Sequence, residues 1–441
     1  MSSLVLRGGT ILMLNDAWDI VQGDVWVRDG RIAAVGRVPA EADRSASLDA
    51  SGALVLPGFV QTHLHLCQTL FRGLAADLPL LAWLERRIWP LEAAHDDGTL
   101  ATSARLAAAE LLLGGTTSVL TMETVHGTDA VFDALGPTGI RAVVGKCLMN
   151  VREGPPARLY EEARAGLDES LALHRRWHGA ANGRLRVALA PRFALSCTRD
   201  LLEATAAASE AHGLLVHTHA SEQQEEVALV RARTGLDNLA YFDAVGLASE
   251  RLCAAHCVWA TEAEHAVLAG RGVKVLHCPG SNLKLGSGIA PVTEMRARGI
   301  SVSLGADGAA CNNALDMFQE MRLAAALQAV RRGPGALPAR DAVWMATREG
   351  ARALGLAADI GSIEPGKKAD LIVVAADGLH QAPGADPYTA LVYAARAADV
   401  RATIVDGAIV ARDGQLAWED AARLRSAART AQRALVDRAG I

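Results

Sequence analysis

No run of eighteen apolar residues occurs in this 441-residue chain, so the sequence offers no membrane-spanning segment. Cys-x-x-Cys is also missing. The seven cysteines, at positions 67, 147, 197, 253, 257, 278 and 311, are scattered, several of them in apolar runs. They read as buried, reduced thiols of a cytoplasmic protein. Acids and bases interleave around a net charge of −5, with no basic stripe, so nucleic acid is not an expected partner. The start, Met-Ser-Ser-Leu-Val-Leu-Arg, lacks a basic segment followed by an apolar stretch and a small-residue cleavage site, and no secretory signal is expected. Lysine is scarce beside arginine, a bias of coding to which no function is attached.

What the chain does have is apolar mass. Apolar residues make up 51% and charged residues 21%, values of a globular protein with a large core. The length exceeds one ordinary domain but suits a barrel with an added module. Residues 1–57 read as short strands joined by turns, with Asp29-Gly30 as a hairpin signal. Residues 357–441 have the same character through Gly361–Val374 and Val400–Val410, followed by a helix near 418–437 that suits packing or an oligomer contact. The two ends are expected to build one small β-sandwich domain.

The middle, 58–356, alternates β-branched apolar runs with Ala/Leu/Glu/Arg-rich helical stretches. Eight strands are predicted: 54–60, 118–123, 140–147, 185–190, 214–219, 252–256, 273–277 and 301–306. Eight βα units over this length predict a (β/α)8 barrel, an α/β fold, in preference to an open sheet. Residues 68–98 form a long insertion after the first barrel strand, where a lid or specificity loop sits.

The chemistry gathers at strand ends. His63 and His65 follow the first predicted strand, and positions i and i+2 of a strand share a face. Two such histidines are also met as ordinary strand residues, so the remaining ligands decide. His219 closes the fifth strand, His256 the sixth and Asp307 the eighth, all at the carboxyl ends where barrels place active sites. Imidazole and carboxylate together suit Zn²⁺, or alternatively Fe²⁺ or Mn²⁺. Glu222, three residues past His219, could serve as a general acid/base; the alternative is a helix-start glutamate facing the macrodipole. His217, on the same strand face as His219, is expected one layer deeper as a structural residue. His277 ends the seventh strand, and the segment after it, containing Asn282, is expected to line the pocket. The histidines at 95, 126, 174, 178, 212, 265 and 380 are expected to face solvent.

These residues resemble the amidohydrolase superfamily, in the branch holding S-adenosylhomocysteine/methylthioadenosine deaminases, other purine deaminases and triazine hydrolases. The resemblance runs through Pro57–His65, Asp77–Leu84, Trp89-Pro-Leu-Glu92, His219-Ala-Ser-Glu222, Ala255–Cys257, His277–Leu285, Asp307–Asn313 and Gly361–Leu371. It implies one divalent metal per subunit, zinc or iron, held by His63, His65, His219 and Asp307. Glu222 is implied as the proton shuttle, His256 as the group holding the attacking water, and Asp307 with Glu222 as orienting the attacked ring. Glu92 stands where adenosine-type deaminases hold ribose hydroxyls, and Trp89 belongs to the same segment. One departure stands out. Where nucleoside deaminases carry Ala-Pro-His, this chain has Ala190-Pro191-Arg192, and a guanidinium there favours an electron-rich or anionic group.

The expected activity is hydrolytic deamination of an amino-substituted nitrogen heterocycle, a purine or adenosine-type nucleoside, with release of ammonia. The alternatives are a triazine-type hydrolase, a free-base deaminase of the guanine or 8-oxoguanine kind, and, more remotely, a non-catalytic binding protein on the barrel. Cyclic-amide hydrolysis on two metals would need a carboxylated lysine, for which Lys146 is the one candidate. The expected partners are a small heterocyclic substrate and further copies of the chain, as a dimer or tetramer.

Overall fold

The computed structural model describes residues 3–441, apart from the side chain of Asp43. Five strands precede the barrel: β1 (Ser3–Leu12), β2 (Ile20–Arg28), β3 (Arg31–Gly36), β4 (Ala46–Asp49) and β5 (Ala53–Pro57). The barrel strands are β6 (Phe59–Leu64), β7 (Thr116–Met122), β8 (Arg141–Leu148), β9 (Leu185–Pro191), β10 (Val216–Ala220), β11 (Leu252–His256), β12 (Lys274–His277) and β13 (Val302–Leu304). Four more follow: β14 (Leu371–Ala375), β15 (Val400–Val405), β16 (Ala408–Arg412) and β17 (Gln415–Leu416).

Strands β6 to β13 form one eight-stranded parallel sheet in sequence order, with helices in the connections, as the alternating pattern predicts. Closure is made where the chemistry lies. The Thr62 hydroxyl of β6 bonds to the Leu304 carbonyl of β13 at 3.0 Å, and the Asp307 N–H donates to the His63 carbonyl at 3.0 Å. Gly305 permits this approach, because a Cβ there would lie 2.6 Å from the His63 nitrogen.

The first predicted strand, 54–60, is two strands. Pro57-Gly58 divides β5, which pairs with β1 and β14, from β6, which pairs with β7. Gly58 is needed at the break, since a Cβ would come within 2.2 Å of the Thr117 side chain. The predicted strand ran through Pro57-Gly58, although the same dipeptide stands at the boundary expected between residues 1–57 and 58–356.

The terminal strands form a single nine-stranded mixed sheet, ordered β17–β16–β15–β14–β5–β1–β2–β3 with β4 paired to β1. Leu4, Ile11, Val25, Ile32, Val55, Leu371, Val373 and Ile404 share its apolar core, so neither end of the chain completes that core alone. The helix Ala421–Ala439 then returns to the barrel. Leu424, Ala428 and Leu435 are its buried face, while Gln432 donates to the Leu70 carbonyl and Arg438 to the Ala94 carbonyl. It therefore braces both ends of the insertion after β6. All seven cysteines are buried and unpaired. Among the described residues no helix is long and apolar enough to cross a membrane.

Candidate active site

His63 and His65 leave the carboxyl end of β6, His219 that of β10, His256 that of β11, and Asp307 follows β13. Tertiary folding brings all five together. Asp307 Oδ1 lies 3.4 Å from His63 Nε2 and 3.3 Å from His65 Nε2, and His65 Nε2 lies 3.2 Å from His219 Nε2. His63, His219 and His256 also have ring nitrogens within 4.8 Å of one another.

The hydrogen bonds behind these rings fix what their inner nitrogens carry. His65 Nδ1 meets the Met122 carbonyl at 2.8 Å and His219 Nδ1 meets the Arg192 carbonyl at 2.6 Å. A carbonyl only accepts, so both Nδ1 atoms hold the proton and both Nε2 atoms present lone pairs. Two lone pairs facing each other at 3.2 Å beside a carboxylate repel unless a cation lies between them. His63 Nε2 is buried and has no hydrogen-bond partner. Donors about 2.0–2.1 Å from a shared tetrahedral ion lie about 3.3–3.4 Å apart, close to the spacing seen here. The donor set fits a divalent ion of the zinc or iron type.

Charge balance agrees. Burial lowers His63 to about 4, takes His219 well below its ordinary value and lowers His65, so all three imidazoles are neutral donors at pH 7. Burial opposes ionisation of Asp307, but His63, His65 and His256 hold its carboxyl well below the usual range. His217 Nε2 stands 2.7 Å from His63 Nδ1, fully buried, as a buttress one position removed from the cluster.

Glu222 lies beside this cluster. Its Oε2 is 3.5 Å from His256 Nε2, and its Oε1 accepts from the Ser287 hydroxyl at 3.3 Å. Burial, reinforced by the negative charges of Asp307 and Glu226 and opposed by His256, pushes the Glu222 carboxyl up to about 7. Burial would lower His256, but Glu222 and Asp307 carry it above its ordinary value. Asn282 Oδ1 is bonded to His256 Nδ1 at 2.9 Å, leaving His256 Nε2 buried and unpartnered on the side of Glu222. The local backbone is unusual, with Ser221, His256, Cys257 and Asp307 at φ values of 51°, 70°, 49° and 63°. Non-glycine residues in the left-handed region cost free energy and collect where side chains must be aimed.

A cavity opens over the cluster, lined by His65, His219, Glu222 and Asp307 together with Gln68, Arg192 and Phe193. Its apolar wall comes from Leu80, Trp83 and Leu84 of the insertion and from Leu285. The insertion thus occupies the place expected of a specificity loop. Its identified contributors differ from Trp89 and Glu92, which do not line this cavity. Trp89 packs with its ring edge against Gly154, and Glu92 lies behind Arg192. Arg192 donates through both terminal nitrogens to Glu92, at 2.6 and 3.2 Å, and Gln68 Nε2 donates to the same carboxylate at 3.0 Å. Both charged side chains are buried, at 4% and 1% exposure. Glu92 therefore anchors two residues that face the cavity. His277 is buried with both ring nitrogens unpartnered and does not line the cavity, and Asn282 reaches the site through His256.

Some contributors were not apparent in the sequence. Gln68 sits three residues past His65, and Glu123 holds the turn after His65 by accepting from the Leu66 and Cys67 N–H groups at 3.3 and 2.8 Å. A glutamate closing β7, one strand from the histidine pair, was the available signal. Lys146 lies elsewhere, with its ammonium paired to Glu161 and 3.6 Å from Glu169, so it does not bridge a second metal at this cluster. His95 and His265 are buried, not solvent-facing; His95 stacks on Phe71 and is bonded at both nitrogens to Thr99 and Cys67.

Residues 54–410 match the family model described as the amidohydrolase family. A 5'-deoxyadenosine deaminase of Methanothermobacter thermautotrophicus is 43% identical over 94% of both chains. A 5-methylthioadenosine/S-adenosylhomocysteine deaminase of Desulforudis audaxviator is 41% identical over 93% of this chain and 94% of its own. A solved adenosine deaminase of Xanthomonas campestris with bound zinc superposes with a TM-score of 0.92 at 34% identity, covering 99% of each chain. The chain belongs to the amidohydrolase family.

Proposed function

We propose that this protein is a hydrolase of C–N bonds that deaminates an amino-substituted purine, of the adenosine-type nucleoside class, with release of ammonia. The observation that carries the reading is the pair of inward lone pairs on His65 and His219 beside Asp307, with the buried carboxyl of Glu222 opening onto the same cavity. The names of the relatives support the substrate class. In this reading His63, His65, His219 and Asp307 hold one divalent ion, zinc or iron. Such an ion supplies Lewis acidity that brings a water's pKa toward neutrality.

The chain's own residues do the rest. Glu222 Oε2 accepts one proton of the water as the ring carbon bearing the amino group is attacked and passes it to the ring nitrogen. It then carries the second proton, from the new hydroxyl, to the departing amine, which leaves as ammonia. A carboxyl near pH 7 can both take and give a proton at little cost. His256, fixed by Asn282 and set against Glu222, orients the water. Arg192 and Gln68, anchored on Glu92, face the heterocycle, while Leu80, Trp83, Leu84 and Leu285 cover it and exclude solvent. The seven buried thiols support a reducing, cytoplasmic setting.

The test is ammonia release by the zinc-loaded protein from adenosine, 5'-deoxyadenosine, methylthioadenosine, S-adenosylhomocysteine, guanine, 8-oxoguanine and aminotriazines. Nucleoside turnover is expected. Turnover confined to free bases would move the assignment to a base deaminase, and chloride release from a chlorotriazine to the triazine branch. Glu222→Gln should abolish turnover with one metal ion still bound, read by elemental analysis. An active Glu222→Gln enzyme would remove the role given to that carboxyl.

A further inference from the structure

Glu222 presents two oxygens to two different neighbours, and the contacts that distinguish them lead out to the cavity wall. Oε2 faces His256, whereas Oε1 accepts from the Ser287 hydroxyl. That hydroxyl in turn accepts from Gln223 Nε2 at 3.3 Å. A hydroxyl has one proton to give, so accepting from Gln223 directs that proton at Glu222 Oε1. Gln223 Nε2 also donates to the Leu285 carbonyl at 2.9 Å. Its Oε1 accepts from the Leu80 N–H at 3.3 Å, at the first residue of the short helix Leu80–Trp83.

One amide therefore ties three segments together: the insertion after β6, the loop after β10 and the loop after β12. Leu80 and Leu285, both in the apolar wall of the cavity, are the two wall residues it holds. Its orientation is forced. The Leu80 nitrogen needs an acceptor and the Leu285 carbonyl needs a donor, so a flipped amide would face the wrong groups at both ends. Ser287 is further pinned, its N–H donating to the Asn282 carbonyl at 2.8 Å and its carbonyl accepting from Trp259 Nε1 at 2.7 Å. Asn282 is the residue that holds His256.

We infer that Gln223 and Ser287 are positioning residues that couple seating of the apolar wall to the orientation of Glu222, reserving Oε2 for proton transfer. Gln223 acts through Ser287, and neither touches the reacting atoms. With the insertion seated, Gln223 is aligned, Ser287 donates to Oε1, and Oε2 is the oxygen left toward His256 and the cavity. With the insertion displaced, Gln223 Oε1 loses its donor, and the amide that directs the Ser287 proton toward Glu222 is held only through its Nε2. The inference rests on the role given to Glu222 in deamination, but its structural half does not need that role.

Two measurements separate the halves. Hydrogen exchange of residues 79–84 in the full-length metal-loaded protein should accelerate by about tenfold in Gln223→Ala and stay unchanged in Ser287→Ala. With 5'-deoxyadenosine as the probe, Ser287→Ala should lower kcat by about tenfold at a KM within about twofold of the parent, and Ser287→Thr should restore most of kcat. Gln223→Ala should both lower kcat and raise KM. Unchanged exchange in Gln223→Ala overturns the tie to the wall. A Ser287→Ala enzyme that keeps its kcat, or loses activity only through KM, overturns the orienting role. If the parent releases no ammonia from any nucleoside, the deamination reading fails instead, and the exchange result still decides the tie.

Discussion

Each histidine of the cluster is fixed by what stands behind it. Met122 and Arg192 present carbonyls to His65 and His219, and His217 stands behind His63. Partners of this kind hold a ligand ring in one tautomer and one orientation, and losing one typically costs ten- to a hundredfold in metal affinity. His217→Ala should therefore weaken metal binding by about that factor while leaving all four proposed ligands in place. Competition with a chromophoric chelator would measure it, and an unchanged affinity would mean that His63 is held by packing alone. The alternation of side chains along β10 points His217 and His219 to one face, which is why the spacing forecast a deeper, structural place for His217. What spacing could not convey was its partner, since His63 is 154 residues away.

The insertion after β6 and the residue after β9 are joined by the Glu92–Arg192 pair. Separately, each looked like a substrate ligand. Together they form a buried ion pair that presents Arg192 and Gln68 to the cavity. Removing one member of such a pair strands the other charge and costs about 3–5 kcal/mol, while replacing both with apolar groups is often neutral. Glu92→Leu should accordingly destabilise the protein by about that amount, and Glu92→Leu with Arg192→Met should recover most of it, both read by urea denaturation. Equal stability of Glu92→Leu and the parent would show that Arg192 finds another partner. The insertion was legible as an element because it interrupts the βα rhythm with Pro79 and Pro90. Its lining residues were not, because an irregular segment has no period that tells an inward side chain from an outward one.

At the scale of the whole molecule, Arg141 joins the barrel to the terminal sheet. Standing at the start of β8, it donates to Asp370 at 2.9 and 3.1 Å and to Asp406 at 2.7 Å. Burial opposes ionisation of Asp406, but Arg141 and Lys368 lower its carboxyl below the ordinary value of 3.8. A depressed carboxyl binds fewer protons when folded than when unfolded, so its contribution is present above pH 3.8 and is lost as pH falls through the folded value. The urea midpoint should drop as pH falls below about 4 in the parent, and Asp406→Asn should be less stable at pH 7 with a shallower drop. Parallel curves would place the acid sensitivity elsewhere. The brace made by the C-terminal helix belongs to this scale too: packing, one of its two forecast roles, is seen within the chain, against the insertion.

By itself the sequence determined the class of fold, because eight apolar β-branched runs separated by helical stretches have few other ways to bury themselves. It also determined which residues meet, because the carboxyl ends of barrel strands converge whatever the loops do, and His63, His65, His219, His256 and Asp307 each stand at such an end. Only the tertiary structure decided the withdrawal of Glu92 behind Arg192, the identity of the apolar wall and the tie through Gln223. Each of these depends on contacts between segments far apart in the chain. Local periodicity reports which face of an element is buried, but not what it is buried against.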